Sequence, residues 1–412
     1  MIITRRSFLK GAAIVAASSS FAPSFLARTA YKALAAGNNQ LVVIQLSGGN
    51  DGINTVIPYG TPQYAQSRPT LGIPQDQVLA IDSNVGLHPN LKALKALFDQ
   101  KALAIVQGVG YPNPNRSHFQ SMQIWQTSSP DSSLQTGWLG RYDEANLQGQ
   151  RLGALNFGEQ LPRTFWTEHT VVPSIGSLNN YQFLTDPKAP DDKQAQIDAI
   201  NKIFNTSIGR DAPDYFRQSA IDAFHTADEL KTAVAGTKST AQYPTTPLGR
   251  QLQLVGQLIG SKLGTRVYYI SMGGYDTHSG EKNTHDRLMQ QLNDAVDAFV
   301  KDLQAQGAFG NTLLMTFSEF GRRVKENGSA GTDHGTAEPL FLLGGGVQGG
   351  LYGSYPSMSD LDQGDLKFTT DFRGVYGTVV SDWLGVDPGP IVGGAFPKLP
   401  ILSSGLAARK VA

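Results

Sequence analysis

Leu41-Val42-Val43-Ile44-Gln45-Leu46-Ser47-Gly48-Gly49-Asn50-Asp51-Gly52 decides the fold class of this chain. Its first six residues are β-prone and almost continuously apolar, which marks a strand covered on both faces rather than one that alternates between core and water. The glycines and the Asn-Asp pair that follow stop the strand and turn the chain. The same pattern recurs. Residues 102–107 run into Gly108-Val109-Gly110, and 266–271 run into Met272-Gly273-Gly274-Tyr275-Asp276-Thr277-His278. Residues 312–317 end in Ser318-Glu319-Phe320-Gly321-Arg322, and 340–343 end in a run of glycines.

Helical patterns lie between these runs, at 91–99, from Ser117, at 248–263, at 284–306 and at 371–384. The helix at 284–306 carries Leu288, Leu292, Val296, Phe299 and Leu303 on one stripe. Continuous apolar strands alternating with helices predict a three-layer α/β/α sandwich around a mostly parallel central sheet. Residues 126–186 read as short strands and loops, 191–235 as helical with Pro213 near a helix start, and Gly236 to Thr246 as a polar surface loop. No internal repeat is present. The expected organisation is a single domain over 36–412, with a helical insertion at about 187–264.

The N-terminus reads differently. Thr4-Arg5-Arg6-Ser7-Phe8-Leu9-Lys10 pairs two arginines with a Phe-Leu-Lys tail, a mildly apolar run follows from Gly11 to Ala22, and Ala33-Leu34-Ala35 offers small residues for cleavage. Residues 1–35 are therefore expected to be a twin-arginine signal peptide, with the twin-arginine translocase as partner and a periplasmic or secreted product. The apolar run is shorter than the roughly 20 residues of a membrane span, and no later segment reads as one.

The 412 residues carry 34 Lys and Arg against 34 Asp and Glu. Residues 1–35 hold Arg5, Arg6, Lys10, Arg28 and Lys32 and no acid, so the remainder has 29 basic against 34 acidic groups. That balance argues against a nucleic-acid partner, which calls for a basic face. The chain has no cysteine, which excludes disulfides, thiolate metal sites and cysteine nucleophiles and suits an oxidising compartment. The 45 glycines point to turns and close backbone approaches.

In open α/β sheets ligands bind beyond the carboxyl ends of the strands. The polar residues of this chain collect there. Asp51 follows the first strand, Ser117 and His118 the second, Asp276 and His278 a third and Glu319 a fourth, while Asp333-His334 sits in a glycine-flanked loop. Oxygen and imidazole donors suit zinc, manganese or magnesium, and two such ions about 4 Å apart could clamp a phosphoryl or sulfuryl group. Each residue alone is also consistent with a plain structural role. A lone Asp after a strand caps or turns, and Asp333-His334 could form a turn with a satisfied histidine. Asp276 and His278, two apart, share a face in extended chain, and His285 could point back from the first helical turn. Ser117 at a helix start is either an ordinary cap or a hydroxyl facing unpaired amides, which favour an anion. Arg116, Arg322 and Arg323 are candidates to grip a tetrahedral anion. His88, His169 and His225 read as structural, and Glu338 and Asp371-Phe372-Arg373 as packing and ion-pairing residues.

Taken together, LSGGNDG (46–52), NRSHF (115–119), GGYDTH (273–278) with His285, SEFGR (318–322), GTDHG (331–335) and VYGTVVSDWLG (375–385) resemble the domain of unknown function family 1501, which belongs with the alkaline-phosphatase and sulfatase superfamily. The resemblance implies an alkaline-phosphatase-like sandwich. It also implies that Asp51, Asp333 and His334 surround one ion beside Ser117 as nucleophile. The superfamily's second ion takes an Asp, a His four residues later and a His near the C-terminus. Here the His comes two after Asp276 and none follows His334, so His285 stands in and the second set becomes Asp276, His278 and His285.

The expected function is an exported metal-dependent hydrolase of phosphate or sulfate esters, using one or two divalent ions and acting on a small or polymeric anionic ester. The alternative is a non-catalytic exported binding protein that keeps the fold. A serine nucleophile separates the two, because only the hydrolase needs one.

Overall fold

In a computed structural model of the chain, residues 39–147, 150–178 and 226–403 are described, together with 195, 196, 198, 199 and 202. Eight strands form the principal sheet: β1 (Gln40–Leu46), β2 (Leu103–Gly110), β3 (Ala154–Phe157), β4 (Val267–Met272), β5 (Thr312–Phe317), β6 (Glu338–Gly344), β7 (Gly350–Tyr352) and β8 (Thr370–Asp371). Their spatial order is β7-β2-β6-β5-β1-β4-β3, with β8 beside the end of β2. The stretch 41–46 lies at the heart of this sheet, parallel to β4 from Leu41↔Val267 to Leu46↔Met272 and parallel to β5 from Gln40↔Thr312 to Gln45↔Phe317.

Burial on both faces explains the unbroken apolar character of β1. Val42, Ile44 and Leu46 join one core with the helices α1 (Lys92–Asp99), α4 (Pro247–Ser261) and α5 (Glu281–Ala305). Leu41 and Val43 join the opposite core with α2 (His118–Thr127), α3 (Trp138–Asn146) and α6 (Phe372–Thr378). The chain is thus a mixed α/β sandwich with a mostly parallel central sheet. The stripe Leu288, Leu292, Val296, Phe299 and Leu303 on α5 is buried in the first core, at the helical spacing that carries an apolar face. In the second core Trp125 stacks on Phe372, at 4.4 Å between centroids, and Trp138 on Tyr376 at the same distance.

One strand breaks the parallel pattern. β6 runs antiparallel to both of its neighbours, β2 and β5. Its first residue, Glu338, therefore lies at the edge of the sheet where β1, β4 and β5 end, and the loop that carries Asp333-His334 reaches that edge from the opposite chain direction. The last helix also departs from the expected single span. It is α-helical over Phe372–Thr378 and widens to a π-turn over Val379–Trp383. Asp371 accepts the Arg373 amide at 2.9 Å as its cap and pairs with the Arg373 guanidinium. The helical expectation for 191–235 falls largely outside the described residues, and 226–235 within it is helical.

Candidate metal centre

Four loops meet beyond the ends of β1, β4 and β5. They carry Ser47 to Asp51, Gly273 to His278, Ser318 to Arg322, and Gly331 to Gly335, while α2 begins beside them at His118. Two glycines permit this approach. A side chain on Gly48, whose φ is +120°, would stand 2.5 Å from the Asp276 amide nitrogen, and one on Gly331 would stand 2.3 Å from the carbonyl carbon of His278.

Three imidazoles turn the same way. His118 Nδ1 faces Glu319 Oε1 at 2.8 Å, His334 Nδ1 faces the Arg116 carbonyl at 2.9 Å, and His278 Nδ1 faces Asp333 Oδ1 at 3.4 Å. Each outer partner is an acceptor, and in the tautomer that donates to it from Nδ1 each Nε2 presents a lone pair inward. The three Nε2 atoms converge on one carboxylate: 3.1 Å from His278 and 3.2 Å from His334 to Asp276 Oδ1, and 3.6 Å from His118 to Asp276 Oδ2. The Nε2 atoms of His278 and His334 are 2.9 Å apart. His118 Nε2 is buried with no hydrogen-bond partner. Ligand atoms of His118, Asp276 and His334 all lie within 4.8 Å of one another and could hold an ion.

In that tautomer the facing lone pairs repel unless a cation lies between them. Tetrahedral donors about 2.05 Å from zinc lie ~3.3 Å from each other, close to the separations found here. His118, Asp276 and His334 therefore fit a divalent ion, with His278 Nε2 beside Asp276 and His334. The outer partners, two carboxylates and one backbone carbonyl, are of the kind that fixes ring orientation and ligand basicity in metal-bound histidines. The Glu319 hydrogen bond raises the His118 pKa, whereas burial lowers that of His334. Partial burial would raise Asp276, but the Arg322 guanidinium leads the groups that hold it at about 2, so this carboxylate is ionised at any working pH.

Arg322 is fully buried and ties the loops together. It donates to the carbonyls of Gly48, Gly49, Thr332 and Tyr275 and, at 2.8 Å, to Asp276 Oδ1. Glu319, also buried, accepts from Gly48 N at 2.9 Å and from Ser318 Oγ at 3.1 Å besides orienting His118. Glu319→Ala is expected to weaken metal affinity by about 10–100-fold. Glu319→Gln should recover part of that loss, because its amide oxygen can still accept from His118 Nδ1. Competition against a chelating dye reads both, and affinity unchanged in the alanine variant would contradict the orienting role.

The sequence-predicted residues are regrouped. Asp276, His278 and His334 come together with His118, and Asp333 stands behind His278, where it also accepts from Asn327 at 3.1 Å. Asp51 is not brought to this cluster. It is fully buried and held by Arg68 through two bonds, 2.6 and 3.1 Å. Burial alone would raise its pKa, but the guanidinium keeps it well below the usual carboxylate range. His285 also lies apart from Asp276 and His278. It faces Thr55 Oγ1 at 3.4 Å, and burial lowers its pKa to about 4. Glu281 completes this interior group. Burial and the Asp51 charge push it up to about 9, and it accepts from Thr332 Oγ1 at 2.5 Å.

Ser117 is the N-cap residue of α2, half-buried, with no side-chain cap hydrogen bond. Arg116 is not free to grip an anion, because its guanidinium is paired with Asp365, which Arg323 also approaches at 3.5 Å. Of the remaining histidines, His88 bonds Asp286 at 2.9 Å, His169 is exposed, and His225 lies outside the described residues. His118 and Glu319 join this cluster, although the sequence, which noted both near strand ends, placed neither in an ion's ligand set. The available signal was position alone, since each directly follows or lies close to a strand end.

No protein of curated function matches this sequence. Among solved structures the chain is similar to the lipoteichoic acid synthase LtaP from Listeria monocytogenes, at 11% identity and a TM-score of 0.39 over 88% of this chain and 76% of that one. It is similar to a protein in the alkaline phosphatase superfamily from Vibrio parahaemolyticus, at 12% and 0.39 over 86% and 69%. It is also similar to the PsFucS1 sulfatase from Pseudoalteromonas sp., at 12% and 0.37 over 89% and 72%. The family model described as protein of unknown function (DUF1501) matches residues 102–369, the span that holds His118, Asp276, His278, Glu319 and His334, and the chain belongs to that family.

Proposed function

We propose that this chain is an exported metal-dependent hydrolase of phosphate or sulfate esters, with Ser117 as nucleophile and one divalent ion of zinc, manganese or magnesium held by His118, Asp276, His278 and His334. The observation that carries the reading is the inward turn of three Nε2 atoms onto one carboxylate, with Ser117 next in the chain to one of those histidines.

A bound ion would supply Lewis acidity, lowering the pKa of a nearby hydroxyl and offsetting charge on ester oxygens. The chain's own residues supply placement. The His334 imidazole bonds the Arg116 carbonyl, and Asn115 Oδ1 accepts the Ser117 amide at 2.8 Å, so the backbone at 115–118 is fixed to the centre. The unpaired amides in the first turn of α2 favour an anionic ester beside Ser117. Ser117 Oγ would form its bond to phosphorus or sulfur as the bond to the alcohol oxygen breaks and the alcohol leaves with a proton. Water would then displace the serine, releasing the inorganic anion and restoring the hydroxyl.

Export rests on Arg5-Arg6 and the apolar run behind them, all outside the described residues. Among the described residues no helix is long and apolar enough to cross a membrane. Metal-loaded wild type should hydrolyse an aryl phosphate, a phosphodiester or an aryl sulfate. Ser117→Ala should keep its ion and lose turnover by at least about 1,000-fold, the scale set by loss of a nucleophile. Full turnover in Ser117→Ala would remove the serine from the mechanism. An inert wild type after loading with zinc, manganese and magnesium would leave the binding protein as the better description.

A further inference from the structure

Asp51 ends β1 as the sequence led one to expect of a metal ligand, yet its charge is met by a side chain. Arg68 is fully buried, and its guanidinium is almost saturated. It gives two bonds to Asp51, one to the Val324 carbonyl and one to the Arg323 carbonyl, the last two at 2.8 Å. Glu281 and His285 flank Asp51 on the side of α5. Asp51, Glu281 and His285 are three donors of metal-ligand type around one buried spot, but among the described residues they do not gather into a ligand group as His118, Asp276 and His334 do. A guanidinium carries the single positive charge that one carboxylate requires, and its planar fork matches that carboxylate.

We propose that Arg68 is a built-in cation: it fills the position in which Asp51 would otherwise hold an ion, so the chain binds one divalent ion rather than two. This rests on the proposed metal centre. A corollary concerns the space behind the guanidinium. Removing it leaves Asp51, Glu281 and His285 around a vacated volume, with Thr55 Oγ1 beside His285, and that set can take a divalent ion once Glu281 gives up its proton.

Elemental analysis of the full chain after dialysis against zinc and, separately, manganese tests this. Wild type should contain one ion per chain, and Arg68→Gly should contain two, with added guanidinium ion competing away the second. The double variant Asp51→Asn with Arg68→Met removes both charges together and should still contain one ion, which keeps the test decisive if Arg68→Gly fails to fold. Two ions in wild type, falling to one in the double variant, would overturn the proposal and leave the His118–Asp276–His278–His334 centre standing. No ion in wild type would overturn both.

Discussion

Asp276→Ala should empty the metal centre without unfolding the protein. All three inward-facing nitrogens lie within 3.6 Å of this carboxylate, and it is the only charged group among the four proposed ligands. Without it, three neutral imidazoles remain beside the positive Arg322. Loss of an outer partner costs about 10–100-fold in affinity, and loss of an anionic ligand should exceed that. The side chain is half exposed, so little buried area goes with it. Arg322 keeps its four backbone acceptors on Gly48, Gly49, Tyr275 and Thr332. Calorimetric titration with zinc against wild type checks the loss, and chemical denaturation in EDTA checks the fold. Binding within a few-fold of wild type would exclude Asp276 as a ligand.

Arg68→Ala should carry the largest stability effect. It strands the Asp51 carboxylate in the interior, and removing one partner of a buried pair costs about 3–5 kcal/mol. The pH dependence gives a second signature. In wild type the depressed Asp51 pKa contributes stability that is present above the unfolded value near 3.8 and is lost as pH falls through the folded value. In the variant burial, the largest influence on Asp51, is no longer opposed by Arg68, so the Asp51 pKa rises above 3.8. The folded state then takes up a proton that the unfolded state releases, and stability falls as pH rises. The gap between variant and wild type should therefore narrow from pH 7 towards pH 4. Urea denaturation in EDTA at several pH values reads it, and a constant gap would mean that Asp51 finds another partner. Replacing both residues, as Asp51→Asn with Arg68→Met, should restore most of the stability, because no charge is then left unpaired.

The sheet was legible in the sequence because burial on both faces leaves a plain mark. Residues 41–46, 266–271 and 312–317 are apolar without alternation, and they became β1, β4 and β5 to within a residue. The direction of β6 was not legible, since an apolar run such as 340–343 reads the same both ways. The sequence singled out Asp276, His278, Asp333 and His334, and the structure brings these four close together, because each sits where a parallel strand ends or the antiparallel one begins. Their grouping was not legible. It depends on which charge Arg68 meets, and nothing near Thr61-Pro62-Gln63-Tyr64-Ala65-Gln66-Ser67-Arg68 marks that arginine as the partner of Asp51. The role of His118 was hidden for the same reason, since its orienting acceptor Glu319 lies 201 residues away.

That separation bears on how the protein assembles. Pairings between residues distant in sequence form late, after the entropy of closing long loops has been met. The proposed ligands come from the start of α2, the end of β4 and the approach to β6, so a centre built from them exists only when the first and last thirds of the chain are docked on the same sheet. A nascent or partly folded chain has no such pocket and cannot nucleate around an ion in the way a small zinc module does. Ion uptake by the proposed centre would then be a terminal event of folding, and if the chain is exported folded, as proposed, it would leave the cytoplasm with its choice of ion already made.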